Sequence, residues 1–170
     1  MFNRLPKIVN LQGGKYFELV FDDYQFFSAK LSPEEFDSSC FFRIGLVANS
    51  LIEVAFYHDL LFLSDVTVVT APLQFEFDLD WNGANFLDAI PGHATDDWPM
   101  NSRYVDTNID CRMKLSVESL SFIFGVGAPI ITTVLRCGRM QFGLSGDGDL
   151  VAIRISNLSQ DEYYALKSKM

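Results

Sequence analysis

Asp78, Asp80, Asn82 and Gly83 stand in the D-x-D-x-N-G order that opens a calcium loop, where oxygens at alternate positions fold around the ion and glycine permits the turn. The position that should carry the closing bidentate glutamate is Ala89, and the residues before Asp78 alternate like a strand, so the pattern is half a site. The same carboxylates admit a second reading. On a strand, Glu76, Asp78 and Asp80 share one face at a spacing of about 6.8 Å, a ridge of negative potential that Asp88, Asp96 and Asp97 would extend. Such a ridge suits docking of a cationic partner, since steering raises association rates by roughly 10 to 10³. Trp98, between Asp97 and Pro99, would give that surface an aromatic anchor ringed by acids. The plainer alternatives are a solvated strand face and a tryptophan folded over an open sheet end.

A metal or hydrolytic centre would have to be assembled from His58, Asp59, His93, Asp96 and Asp97. Neither histidine has a second at helical ligand spacing, so no HExxH arrangement exists. His58, within Phe56-Tyr57-His58-Asp59, reads as a strand-end or core residue, and His93, beside Pro91-Gly92, as an exposed loop residue. No G-x-S-x-G nucleophile elbow is present, and no cysteine lies near a histidine. Gly13-Gly14-Lys15 lacks the spacing of a phosphate loop and reads as a turn before the first strand. Cys40, Cys111 and Cys137 are widely separated and odd in number, which fits three reduced core thiols better than a disulfide framework or zinc site. No cofactor is expected.

The charge of the chain is unevenly placed. Its 170 residues hold 13 Lys and Arg against 22 Asp and Glu, a net charge of −9. Residues 44–102 contain nine acids and not one Lys or Arg, so the whole excess resides there. Phosphate repulsion makes direct nucleic-acid binding by that segment unfavourable, and a basic protein is the natural complement. The apolar run 44–63 approaches the length of a membrane span, but Asn49, Ser50, Glu53, His58 and Asp59 interrupt it, at about 2.5 to 3.5 kcal/mol for each charge near a bilayer centre. Neither a membrane span nor an export signal is expected, and the location implied is cytoplasmic.

The elements that must position these residues are mostly strands. Val105, Thr107, Ile109, Cys111, Met113, Leu115 and Val117 alternate with polar residues, giving one long half-buried strand or two short ones with a bend. After Glu118 the phase shifts, and Leu120, Phe122 and Phe124 alternate afresh, which calls for a turn or bulge. Residues 130–137, 140–144 and 150–156 continue as an antiparallel meander, with Ser145-Gly146-Asp147-Gly148-Asp149 as a hairpin turn. Ser159 and Glu162 have capping-box spacing before a terminal helix over 160–168. Near the N-terminus, strands are expected around 17–21 and 24–31, then a short helix near 33–38 opened by Ser32-Pro33-Glu34-Glu35. Residues 41–63 admit either strand or helix. Their β-branched and aromatic content favours strands with a turn at Asn49-Ser50. Residues 74–81 read as a strand with Phe75, Phe77, Leu79 and Trp81 on the apolar face, and 82–102 as a long loop. The fold class that follows is mainly β, with α+β as the alternative. It would be one domain over 1–170, an antiparallel sandwich or strongly bent sheet with a short C-terminal helix.

Gly13-Gly14-Lys15-Tyr16-Phe17-Glu18-Leu19, then Tyr24-Gln25-Phe26, then Asp37-Ser38-Ser39-Cys40-Phe41-Phe42-Arg43-Ile44 resembles the N-terminal pattern of small bacterial immunity proteins paired with wall-associated, contact-dependent toxins. It differs at Phe41-Phe42, where that group has an aromatic-leucine pair, and in the expected middle helix. The resemblance implies a cytoplasmic, non-enzymatic antidote that binds a toxin domain, and a nuclease toxin with a basic cleft would complement the acidic segment. The competing functions are a metal-dependent hydrolase using His58, His93 and nearby carboxylates, and a structural subunit of a phage or secretion assembly. Oligomeric state is left open by the sequence.

Overall fold

The computed structural model describes residues 8–11, 16–31, 39–45, 50–57, 62–70, 75–77, 79–93 and 103–170. The expected helix near 33–38 lies outside them. The fold is mainly β. β2 (Glu18–Val20), β3 (Phe27–Lys30), β4 (Ser39–Ile44), β5 (Leu51–Tyr57), β6 (Leu63–Thr70) and β9 (Tyr104–Thr107) form one sheet, in the order β2-β3-β6-β5-β4-β9. β10 (Cys111–Leu115), β11 (Ser119–Phe124), β12 (Thr133–Cys137), β13 (Met140–Leu144), β14 (Leu150–Ser156) and β7 (Asn85–Asp88) form the second, in the order β10-β11-β14-β13-β12-β7. We call these the N-terminal and C-terminal sheets. β1 (Ile8–Leu11) and β8 (Ile90–His93) make a separate two-stranded ribbon.

Alternation explains why the sheets stack. In the N-terminal sheet, Phe27, Ala29, Phe42, Ile44, Ile52, Val54, Val66, Val68 and Val105 all point inward and are nearly or fully buried. In the C-terminal sheet the inward set includes Met113, Leu120, Phe122, Leu135, Met140, Phe142, Ile153 and Ile155. The two sets form one apolar cluster, and the Phe27 and Phe122 rings, 6.1 Å apart, meet across it. Cys40, Cys111 and Cys137 are buried free thiols, and burial pushes each thiol above its ordinary pKa. They are inert core residues rather than nucleophiles.

Of the two readings of the alternating run 105–117, two strands with a bend is the one formed, and the bend at Asn108–Asp110 carries the chain from one sheet to the other. The run 82–102 is not simply a long loop, because it contains β7 and β8. The meander over β12, β13 and β14 is antiparallel, as expected, but each sheet also contains one parallel pair. β9 pairs parallel with β4, and β7 parallel with β12, so each sheet ends at one edge in a parallel strand. In the ambiguous run 41–63 the described residues are strand, with β4 and β5 paired antiparallel and Gly45 directly after β4. There φ is +108°, and a Cβ would lie 2.4 Å from the Ser50 carbonyl oxygen, so only glycine fits.

The ribbon joins the sheets. Phe62 bridges to Gly92, the Ile8 N–H donates to the Gly148 carbonyl (2.9 Å), and the Ala89 N–H donates to the Arg136 carbonyl (3.0 Å). The terminal helix α1 (Gln160–Ser168) starts at Ser159 with both halves of the capping box formed, and it buries Leu166 in the shared core. Among the described residues no helix is long and apolar enough to cross a membrane.

Candidate functional site

The outer face of the C-terminal sheet is read from its register. Ser121 on β11 lies between Lys114 on β10 and Arg154 on β14, and the same row continues through Gln141, Arg136 and Asp88. The next row, Ile123, Ala152, Gly143 and Val134, is small or apolar. An outer face with apolar residues needs a cover, and residues 75–77 and 79–84 supply it. The Phe75 N–H donates to the Met113 carbonyl on β10 (2.8 Å), and Lys114 Nζ donates to the Phe77 carbonyl (2.9 Å). Farther on, Phe77, Leu79 and Trp81 pack against Ile123, Ile131, Val134 and Ala152. The Asn85 N–H then donates to the Thr132 carbonyl (2.9 Å) as β7 begins.

This crossing corrects the strand expected at 74–81. Its described residues form no ladder, and Phe75 is 42% exposed, whereas Trp81 is 8% exposed. Period-two alternation here reports one-sided burial by side chains rather than sheet pairing. Glu76 and Asp80 face solvent with no ion pair among the described residues, and Asp80 Oδ1 accepts the Asn82 N–H (2.7 Å). Asp88, on β7, instead pairs with Arg136 Nε at 2.9 Å. Asp78, Asp96, Asp97, Trp98, His58 and Asp59 lie outside the described residues.

Two further acids of the base-free stretch stand on the N-terminal sheet. Asp65 is largely enclosed, and burial raises its pKa despite hydroxyls of Ser64 and Thr67 at 3.1 Å. Burial also raises the pKa of Glu53, an effect Arg43 opposes. Arg43 itself clasps Asp106 at 2.5 and 2.9 Å and lies 4.6 Å over the Tyr104 ring. The stretch is thus continuous in sequence but divided between both outer faces.

His93 is not in an exposed loop. It is 2% exposed on β8, stacked on Phe42 at 5.3 Å with Phe56 edge-on at 5.4 Å, which makes it a residue of the aromatic core. Among the described residues no group of three His, Cys, Asp or Glu side chains could hold a metal ion.

A cleft of about 460 Å³ opens where the crossing segment leaves the β10 edge. Phe77, Leu79 and Asp80 form one wall, and Lys114, Ser121 and Arg154 the sheet-side floor, with Ser116 and Ser119 at the β10–β11 turn. The Ser116 and Ser119 hydroxyl oxygens are 2.9 Å apart. Arg154 lies 5.4 Å over the Trp81 ring, and burial lowers its pKa from the ordinary arginine value. Its Nε is enclosed without a hydrogen-bond partner. No sequence motif marks these residues, because Lys114, Ser121 and Arg154 become neighbours only through strand register. Compared with known families and curated proteins, the chain matches no family model and no curated sequence.

Proposed function

We propose that this is a non-enzymatic binding protein that engages a basic protein partner through its acidic segment, in the manner of an immunity protein neutralising a toxin domain. The observation that carries the reading is the pair Glu76 and Asp80: both are exposed, neither has a cation among the described residues, and they lie in 59 residues without a Lys or Arg. Uncompensated carboxylates on a segment anchored by Trp81 form a prepaid negative surface, whereas Asp88, Asp65 and Glu53 are already engaged. A toxin cleft built for phosphate would present the complementary charge. The N-terminal likeness to immunity proteins supports the same assignment.

The test is protection. A toxin domain encoded beside this gene, co-expressed with the wild-type protein, should be silenced, and Glu76→Lys with Asp80→Lys should abolish protection. The purified double variant should bind the toxin domain at least about tenfold more weakly at low salt, with a flatter salt dependence. Equal protection and equal low-salt affinity would remove this surface from the reading.

A further inference from the structure

We propose that the cleft between the crossing segment and the β10 edge binds the phosphate group of a small phosphomonoester. Arg154 and Lys114 flank Ser121 across three adjacent strands, all three line the cleft, and Lys114 Nζ sits at its wall, donating to the Phe77 carbonyl (2.9 Å). Ser119 adds a third direction of approach from the turn. A tetrahedral oxyanion uses donors from several directions, whereas a planar carboxylate is satisfied by one guanidinium fork. Arg154 is half-buried and no acceptor among the described residues takes a hydrogen bond from it, a cost that an oxyanion reaching its guanidinium from the cleft would offset. Arg154 has no ion pair among the described residues, and its stacking on Trp81 holds the guanidinium at the cleft floor. A single phosphate does not fill about 460 Å³. The remaining wall, Phe77 and Leu79, is apolar and suits an organic group on the ester. Asp80 lies on the same rim and opposes an anion, which sets a limit on affinity rather than on location.

The experiment is calorimetric titration of the full chain with inorganic phosphate and with phenyl phosphate, at ionic strength held constant with chloride. Both should bind saturably, phenyl phosphate more tightly; equal binding would reduce the occupant to inorganic phosphate itself. Arg154→Gln and Lys114→Gln should each weaken binding about tenfold or more, and Ser121→Ala severalfold. Asp80→Asn should strengthen binding. Arg136→Gln, farther along the same row outside the cleft, should leave it unchanged. If Arg154→Gln fails to fold, Lys114→Gln and Ser121→Ala carry the same test. Heat no greater than that of chloride, or affinity unaltered in the cleft variants, would overturn the proposal.

Discussion

Glu162 serves two partners at the start of α1. Its carboxylate accepts the Ser159 N–H (2.8 Å), completing the capping box, and also takes both terminal nitrogens of Arg139 at 2.6 and 2.8 Å. Arg139 in turn lies 4.7 Å over the Phe17 ring and donates to the Asn157 carbonyl (2.9 Å), so one carboxylate ties the helix to β13 and to the N-terminal segment. The Arg139 hydrogen bonds hold the Glu162 pKa below the ordinary glutamate value. A carboxyl depressed in the folded state contributes stability above its unfolded pKa, and that contribution is lost as pH falls through the folded value. Glu162→Gln should therefore lower unfolding free energy by about 1 to 3 kcal/mol at neutral pH, with the gap to wild type closing as pH falls below the ordinary glutamate range. Urea denaturation across that range would measure it. Ser159 and Glu162 announce this cap by spacing alone, whereas Arg139 does not, because its approach depends on where the β12–β13 turn falls.

At the scale of elements, Gly143 is the position on which the crossing segment depends. A Cβ there would meet Trp81 Cζ3 and Ile131 Cδ1 at 3.0 Å and Ala152 Cβ at 3.2 Å, all in a packed cluster. Gly143→Ala should destabilise by about 1 to 3 kcal/mol through overpacking and lift Trp81 off the sheet. A red shift of indole emission, recorded in a Trp98→Phe background, would detect the displacement. The β12–β13 and β13–β14 hairpins were legible in the sequence because their arms alternate and their turns carry glycine. β7 and β8 were not. Each has only four residues, Pro91-Gly92 signals a turn, and each finds its partner far away in sequence, in β12 and β1. The candidate site was half legible for the same reason: Glu76 and Asp80 follow from alternation, while the Lys114–Ser121–Arg154 row needs the register of three strands.

For the whole molecule, the passage at Asn108–Asp110 divides the chain into a part that owns the N-terminal sheet and a part that owns five strands of the other sheet. The division is incomplete, because β7 and the crossing segment belong to the first part and cover the second. Fragments 1–108 and 109–170 should therefore reconstitute a folded particle when co-expressed. The C-terminal fragment alone, stripped of β7 and Trp81, should aggregate. Co-purification and near-ultraviolet circular dichroism would decide it, and independent folding of both fragments would contradict this view of the interface.

The parallel pairing of β9 with β4 also orders events on the ribosome. Once residue 107 has emerged, every strand of the N-terminal sheet has been made, yet its inner face has nothing to rest on until the later strands arrive. A nascent chain at that stage displays Phe27, Phe42, Ile52 and Val66 side by side, a surface that recruits chaperones and neighbouring chains alike. Slow codons are thus least tolerable just after β9, and synonymous changes that stall translation there should lower soluble yield without altering a single residue.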